Sequence, residues 1–209
     1  MKNNFSSEDL EQIFKFLHQA EKLKTTMRFL ESKDIVQESS AAHSWRLSLM
    51  VFVVANELNL NLNIEKALKI AIVHDLAESI TGDIDYLFIT NGKVSKEEKK
   101  KLEENAMQQI KNSLPKKIGN EIYNLWKEFE TQSSNEGRFV KALDKLETLT
   151  HLVEVGYKAY DKTEVIPTYA NEAVKTFPEL SEVLKKIKKE LKLEFEKGSI
   201  PWKEEYNYF

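Results

Sequence analysis

Four polar residues interrupt apolar, helix-like segments at separate points along this sequence. His74 and Asp75 lie side by side in IAIVHDLAES, His43 precedes the run LSLMVFVVA, and Asp144 interrupts FVKALDKLETL. A His-Asp pair alone is more typical of a core histidine bonded to a neighbour, because buried charged groups are normally paired. Two imidazoles and two carboxylates from three helices, however, can close around one divalent ion. The pattern therefore indicates a candidate metal site.

A further carboxylate, Glu78, follows His74 by four residues and Asp75 by three. On a continuous helix this spacing presents all three polar groups on one face. A divalent ion lowers the pKa of a bound water and polarises a phosphoryl group. Glu78 can then orient that water or carry a proton, provided that it does not itself bind the metal. The chemistry that this set favours is metal-assisted hydrolysis.

The order His43, His74-Asp75, Asp144 resembles the H…HD…D signature of the HD metal-dependent phosphohydrolase superfamily. The longer segments HDLAESITGDI, LWKEFETQSS and RFVKALDKLE are similar to its 5′-deoxynucleotidase branch and to the eukaryotic HD-domain-containing relatives. The resemblance implies an all-α fold, with one globular HD domain over residues 1–209. The motif core lies at about residues 23–156, and further helices occupy residues 157–209.

The resemblance also implies the metal ligands and the cofactor. It assigns metal binding to His43, His74, Asp75 and Asp144. The cofactor is then one divalent ion, with Mn, Co, Fe, Zn and Mg all open. A mixed site of this type leaves positions free for water and for a phosphate oxygen.

Four further residues match positions with known roles in the family. Glu78 matches the catalytic carboxylate, and Asp83 of the TGD segment matches a residue near the sugar and the attacking water. Arg28 falls where the family places a phosphate-binding arginine beside an aromatic residue. A guanidinium at this position can bind two phosphate oxygens at once. That aromatic is Phe29 here, where the bacterial nucleotidases carry Trp, and Ala42 precedes the first histidine where an acid is common.

The resemblance predicts a phosphomonoesterase that removes the 5′-phosphate from deoxyribonucleoside monophosphates and acts as a homodimer. Two alternatives stay open. One is another HD phosphohydrolase, either a cyclic-nucleotide phosphodiesterase or an alarmone hydrolase, and the other is a non-catalytic nucleotide-binding HD protein. Alarmone hydrolases generally show HDxxED, whereas Ser79 follows Glu78 here, which disfavours that alternative.

Six or seven helices must position these residues. Proline and glycine are scarce, with 4 and 6 residues, as in largely helical chains. The second helix should run to about Leu58 and be buried on several sides, the third should reach about Ser79, and the sixth should end near Glu154. We expect the helices to begin after Ser6-Ser7, at about His43, at Ile64, at the Ser95 capping box, after Pro115, at a Ser133 capping box and after Pro178.

Two other histidines and the overall composition bound the remaining possibilities. His18 and His151 lie outside the H…HD…D signature and the three similar segments, so we expect structural roles for them.

The 209 residues are 41% hydrophobic, which excludes general disorder, and cysteine is absent, which excludes disulfides and thiolate sites. A net charge of −3 argues against a nucleic-acid partner. No apolar segment suits a membrane span or a signal peptide, so the sequence predicts a cytoplasmic protein without a membrane partner.

Overall fold

Helices make up most of the described chain. The structure is a computed structural model that describes residues 6–29 and 37–208. The α-helices are α1 Ser7–Ala20, α2 Ser40–Glu57, α3 Ile64–Val73, α4 Glu78–Thr81, α5 Tyr86–Thr90, α6 Lys96–Ser113, α7 Lys116–Thr131, α8 Asn135–Val155, α9 Asn171–Thr176 and α10 Ser181–Lys197. The predicted all-α class is confirmed, and the seven longest helices correspond to the predicted segments. In the described part of the chain, β-structure is limited to one antiparallel bridge between Met27 and Ser39.

Side-chain caps fix where several of these helices begin. The capping box predicted at Ser95 is present. The Ser95 hydroxyl accepts a hydrogen bond from the backbone N–H of Glu98, and the Glu98 carboxylate accepts one from the backbone N–H of Ser95. The box predicted at Ser133 is wrong. The cap of α8 is Ser134, whose side chain accepts from Gly137, because Gln132 adopts a left-handed conformation (φ 51°) and ends α7 just before it.

The third helix ends earlier than its apolar periodicity predicts. It stops at Val73, and i→i+3 backbone bonds replace the α-helical ladder between Val73 and Ser79. The physical reason is that the ring Nδ1 of His74 lies 2.8 Å from the Ala71 carbonyl oxygen. An α-helix would use that same oxygen to accept the N–H of Asp75. His74 and Glu78 therefore do not share one continuous helix, contrary to the prediction.

The second helix is buried along one stripe only, so the prediction of burial on several sides is wrong for the chain by itself. Its buried residues are Ser40, His43, Leu47, Val51 and Ala55. The side facing away from them is apolar and exposed, and Trp45 keeps 69% and Phe52 55% of its accessible surface. Contacts of α2 with α3 and α8 account for the buried stripe.

The longest helix, α8, is the centre of the hydrophobic core. It contacts α2, α3, α7, α9 and α10, and its side chains Phe139, Leu143, Leu146 and Leu149 have no accessible surface. Gly137 permits the close approach of α7, since a Cβ there would lie 2.5 Å from the Glu128 carbonyl oxygen. No helix in the described residues is long and apolar enough to cross a membrane.

Candidate metal centre

Three elements bring the four predicted metal ligands together. His43 lies in the first turn of α2, His74 and Asp75 lie in the turn after α3, and Asp144 lies midway along α8. The Nε2 atom of His43 is 3.3 Å from that of His74 and 3.2 Å from Asp144 Oδ1. Asp75 Oδ2 is 3.0 Å from His74 Nε2 and 3.8 Å from His43 Nε2.

These distances fit a divalent ion. Ligand atoms about 2.0–2.2 Å from a metal lie about 2.8–3.6 Å from each other in tetrahedral or octahedral geometry. Donor atoms of His43, His74 and Asp75 form a group whose members all lie within 4.8 Å of one another. Asp144 joins this group through its contact with His43. The donors are nitrogen and oxygen only, which suits Zn, Mn, Fe, Co or Mg.

Both histidines present Nε2 to the centre because an acceptor holds the opposite ring nitrogen. The Ala71 carbonyl oxygen lies 2.8 Å from His74 Nδ1, and the Glu147 carboxylate contacts His43 Nδ1. A carbonyl and a carboxylate accept hydrogen bonds, so Nδ1 carries the proton in each ring. Each Nε2 atom can then bind one ion once any proton on it is displaced.

The electrostatics of the cluster keep its carboxylates ionised. Burial alone would raise the pKa of Asp75, but His74 and His43 hold it well below the usual range. Burial opposes the same change at Asp144, where Lys145 and His43 lower the pKa well below its usual value. Burial and Arg28 each lower the pKa of His43, but Asp144 and Glu147 outweigh them and raise it to about 9. Binding of a cation would displace that proton.

Glu78 lies beside the donor group in a different electrostatic environment. Its side chain is buried, and Ser40 Oγ donates a 2.6 Å hydrogen bond to Oε2. Burial raises the pKa of Glu78 well above its usual value, and the charges of Asp75 and Asp83 raise it further. Burial also raises the pKa of Asp83. Glu78 and Asp83, whose pKa values are raised, thus lie in the same cluster as Asp75 and Asp144, whose pKa values are lowered.

A short backbone pairing places Arg28 next to the metal ligands. The Met27–Ser39 bridge is completed by hydrogen bonds from Arg28 N to Glu38 O and from Ser40 N to Thr26 O, both 2.9 Å. The Arg28 guanidinium donates through Nη2 to Thr148 Oγ1 at 3.1 Å. Its Nη1 is buried and makes no hydrogen bond with any described residue. That atom is suited to an anionic ligand.

Phe29 adopts a backbone conformation that is unusual for its residue type. Its φ is 61°, in the left-handed region, which costs energy for a residue with a Cβ. The ring stacks on His151 with a centroid distance of 5.2 Å and an interplanar angle of 14°. The Arg28 guanidinium lies 5.5 Å from the same ring. These two contacts hold the strained residue in place.

One cavity of about 250 Å³ connects the groups described so far. Its wall includes the predicted ligands other than His43, which is fully buried behind it, and two of the three predicted substrate-binding residues, Arg28 and Phe29. Glu78 and Asp83 also line it. All of the predicted site residues thus lie in or directly behind one cleft.

Three side chains on the face of α8 that carries Asp144 were not among the predicted site residues. Glu147 contacts His43, Thr148 accepts from Arg28, and His151 stacks on Phe29. The expectation that His151 has only a structural role overlooked that last contact. The signal that identifies them is their spacing of three, four and seven residues from Asp144, which a helix places on one face.

The segment LWKEFETQSS also contributes to the cleft. The Phe129 ring packs edge-on against His74 with a centroid distance of 5.0 Å. Lys141 Nζ lies 3.9 Å from the centre of the Phe129 ring and 3.2 Å from a carboxylate oxygen of Glu130. Glu130 and Lys141 line the cavity. This segment thus supports a metal-centre histidine from the α7 side.

Comparisons of the sequence with known proteins identify one family. The sequence model of the HD domain family matches residues 20–188. Human 5′-deoxynucleotidase HDDC2 is 38% identical over 152 residues, which are 72% of this chain and 71% of the human protein. The fission yeast 5′-deoxynucleotidase hdd1 is 38% identical over 68% of this chain and 71% of its own. The zebrafish HDDC2 protein is 44% identical over 54% of this chain and 52% of its own.

Solved structures share the fold. A predicted metal-dependent phosphohydrolase from Magnetospirillum magnetotacticum superimposes with a TM-score of 0.72 at 22% identity, and the match covers 94% of this chain and 100% of that one. A conserved hypothetical protein from Pyrococcus furiosus gives a TM-score of 0.68 at 27% identity over 84% and 99% of the two chains.

The donor geometry predicts that loss of one ligand removes the ion. His74→Ala and Asp144→Ala should each lower bound divalent metal at least tenfold, because the remaining buried groups no longer complete a site. Elemental analysis of the purified proteins after metal loading measures this. His18→Ala, on the exposed surface of α1, is the matched control and should retain the wild-type metal content. Wild-type metal content in both ligand variants would contradict the site.

Proposed function

The chain belongs to the HD domain family, and we propose that it is a metal-dependent 5′-nucleotidase that releases phosphate from deoxyribonucleoside 5′-monophosphates. The observation that carries the proposal is the single cleft in which Arg28 and the metal-donor cluster lie together. A cationic donor and a divalent ion are the two groups that a dianionic phosphate needs. The names of the human and fission yeast relatives support the choice of a deoxynucleotide over a cyclic nucleotide or an alarmone. The proposal keeps the cytoplasmic location that the sequence predicts.

The chemistry divides between a bound ion and the side chains of the chain. The residues His43, His74, Asp75 and Asp144 would hold the ion, which supplies Lewis-acid polarisation of the phosphoryl group and a more acidic bound water. Arg28 binds phosphate oxygens through Nη1, the atom that lacks a hydrogen bond to the described residues.

Glu78 is the proposed proton carrier. The Ser40 hydroxyl engages its Oε2 atom, which leaves Oε1 to exchange a proton with the attacking water or with the leaving 5′-oxygen. Its carboxyl is fixed by this bond and by burial, so it needs little reorganisation during the reaction. Glu78 acts in catalysis rather than in metal binding, because its Oε2 atom is bonded to Ser40, whereas Asp144 contacts His43 Nε2 directly.

Substitution of Glu78 tests the activity and this role together. Wild-type protein should release inorganic phosphate from a panel of deoxynucleoside 5′-monophosphates with added divalent metal and lose that activity with a chelator. Glu78→Ala should keep its metal content but lose about 10²-fold or more in kcat, the usual contribution of a general acid or base. Phosphate release and elemental analysis on the same samples are the measurements. Unchanged kcat at saturating metal excludes the role, and no phosphate release from wild type excludes the activity.

Arg28 and Phe29 are proposed to bind and select the substrate, with Asp83 contacting the sugar. Arg28 reaches the phosphate, and the neighbouring Phe29 ring forms the wall beside the sugar. An aromatic wall crowds a ribose 2′-hydroxyl and leaves it without a hydrogen-bond partner, which disfavours ribonucleotides by about 1–3 kcal/mol. The stacking on His151 keeps the wall rigid.

Substitutions of Arg28 and Phe29 should therefore change the kinetics in different ways. Arg28→Lys should lower kcat/KM for every monophosphate alike, because an ammonium cannot reproduce the planar geometry in which Nη2 bonds Thr148 and Nη1 stays available to the phosphate. Phe29→Ala should instead reduce the preference for the deoxyribonucleotide. The measurement is kcat/KM for one deoxy/ribo pair in wild type and both variants. An unchanged ratio in Phe29→Ala, or no deoxy preference in wild type, contradicts the selection mechanism.

The proposed partner is a second copy of the chain. Trp45, Leu49, Phe52 and Val53 form an apolar stripe on the outward side of α2 and keep 46–69% of their surface exposed. Apolar patches of this kind are typical of protein–protein interfaces.

A charge within this stripe should prevent association. We expect wild type to have the molar mass of a dimer in light scattering at micromolar concentration and Phe52→Lys that of a monomer. Lys101→Glu, a charge change on α6 away from the stripe, is the control and should stay dimeric. A monomeric wild type contradicts the proposal.

A further inference from the structure

Behind His43, on the side away from the other donors, lies a carboxylate that the proposed chemistry does not use. Glu147 is completely buried on α8 and contacts His43 Nδ1 through Oε2. Its other oxygen, Oε1, accepts a 2.6 Å hydrogen bond from Arg46 Nε. Burial of a carboxylate at this depth is costly unless it is paired, and these two contacts pair both of its oxygens.

The two histidines of the centre differ in how their rings are held. The Nδ1 atom of His74 bonds to the Ala71 carbonyl of the preceding turn, so its hydrogen-bond partner is the local backbone. His43 Nδ1 has Glu147 as its hydrogen-bond partner, while Glu38 lies farther away at 3.9 Å. The orientation of the His43 ring therefore depends on a side chain from another helix.

We propose that Glu147 is a positioning residue that fixes His43 with Nδ1 protonated and Nε2 directed at the metal ion. Its negative charge also makes the imidazole a stronger donor, as carboxylate partners do for metal-binding histidines. This inference rests on the metal site of the proposed function.

The Glu147 carboxylate also lies near Arg28, the proposed phosphate-binding residue. Glu147 Oε2 lies 3.9 Å from Arg28 Nη1, the guanidinium atom that has no hydrogen bond to the described residues. Thr148, the next residue on α8, accepts from Arg28 Nη2. Glu147 therefore lies between the proposed metal donor and the proposed phosphate donor, and its charge attracts both.

Arg46 provides a matched control. It bonds both to Glu147 and to Glu154, and the Glu154 side chain is 55% exposed and does not contact His43. Removing the charge of Glu154 alters the ion pair of Arg46 but leaves the His43–Glu147 contact in place. A loss of metal affinity that occurs only in the Glu147 variant therefore reports on His43.

The test measures the dissociation constant of Zn²⁺ or Mn²⁺ for the metal-free full chain, by competition with a chromophoric chelator. Glu147→Gln should bind the ion about 10- to 100-fold more weakly than wild type, the usual effect of removing a partner of a metal-binding histidine. Glu154→Gln should stay within twofold of wild type. The melting temperatures of the metal-free proteins show whether folding contributes.

A second variant covers the possibility that Glu147→Gln fails to fold because Arg46 loses its buried partner. In the double variant Glu147→Gln/Arg46→Met, that unpaired charge is gone, and the loss of affinity should persist. Affinity within twofold of wild type in a folded Glu147 variant overturns the proposal. A wild-type protein that binds neither ion overturns the metal site itself, which is a different result from equal binding by wild type and variant.

Discussion

The constraint on which this structure depends is the clustering of two ionised carboxylates and two imidazoles that are linked by contacts of 3.0–3.8 Å. Such a cluster is costly in a low-dielectric interior unless each group is compensated. Compensation comes from the pairing of imidazole with carboxylate and from Lys145, which lies 3.4 Å from Asp144 Oδ2. A divalent cation fits the same requirement, because it offsets both negative charges at once. The helices around the cluster are therefore fixed by its charge balance as well as by apolar packing.

One face of α8 satisfies much of this requirement. Asp144 faces the donor cluster, Glu147 holds His43, Thr148 bonds to Arg28 and His151 supports Phe29. The opposite faces of the same helix carry Phe139, Leu143 and other core side chains without accessible surface. A helix that is largely buried keeps these four polar groups at a fixed spacing. The proposed metal centre and the proposed substrate side of the cleft thus share one rigid support.

The sequence predicted those parts of this arrangement that show in the helical spacing of apolar residues, and it missed the others. His43, His74 and Asp144 were identifiable because each interrupts an apolar helical pattern. Glu147 was not, because an acid near Lys145 is equally typical of a solvated helix face. The early end of α3 was also missed, because it arises when the His74 ring takes a carbonyl oxygen that the ladder needs, and apolar spacing contains no information about that competition. Arg28 and Phe29 lie outside any periodic segment, so only the family resemblance indicated them.

The substrate side of the cleft is built by a different principle from the metal side. The proposed metal donors come from helices and the turn that follows α3, whereas Arg28 and Phe29 lie in irregular backbone that is held by the Met27–Ser39 bridge. Groups on rigid helices can be placed to within tenths of an ångström, and groups on a tethered segment are easier to vary. The left-handed conformation of Phe29 raises the free energy of this segment. The Met27–Ser39 bridge and the stacking of Phe29 on His151 must offset that cost. Replacement of the aromatic residue at position 29 should therefore change the proposed sugar wall while the contacts that hold the proposed metal donors stay intact, which would separate substrate selection from metal binding within one cleft.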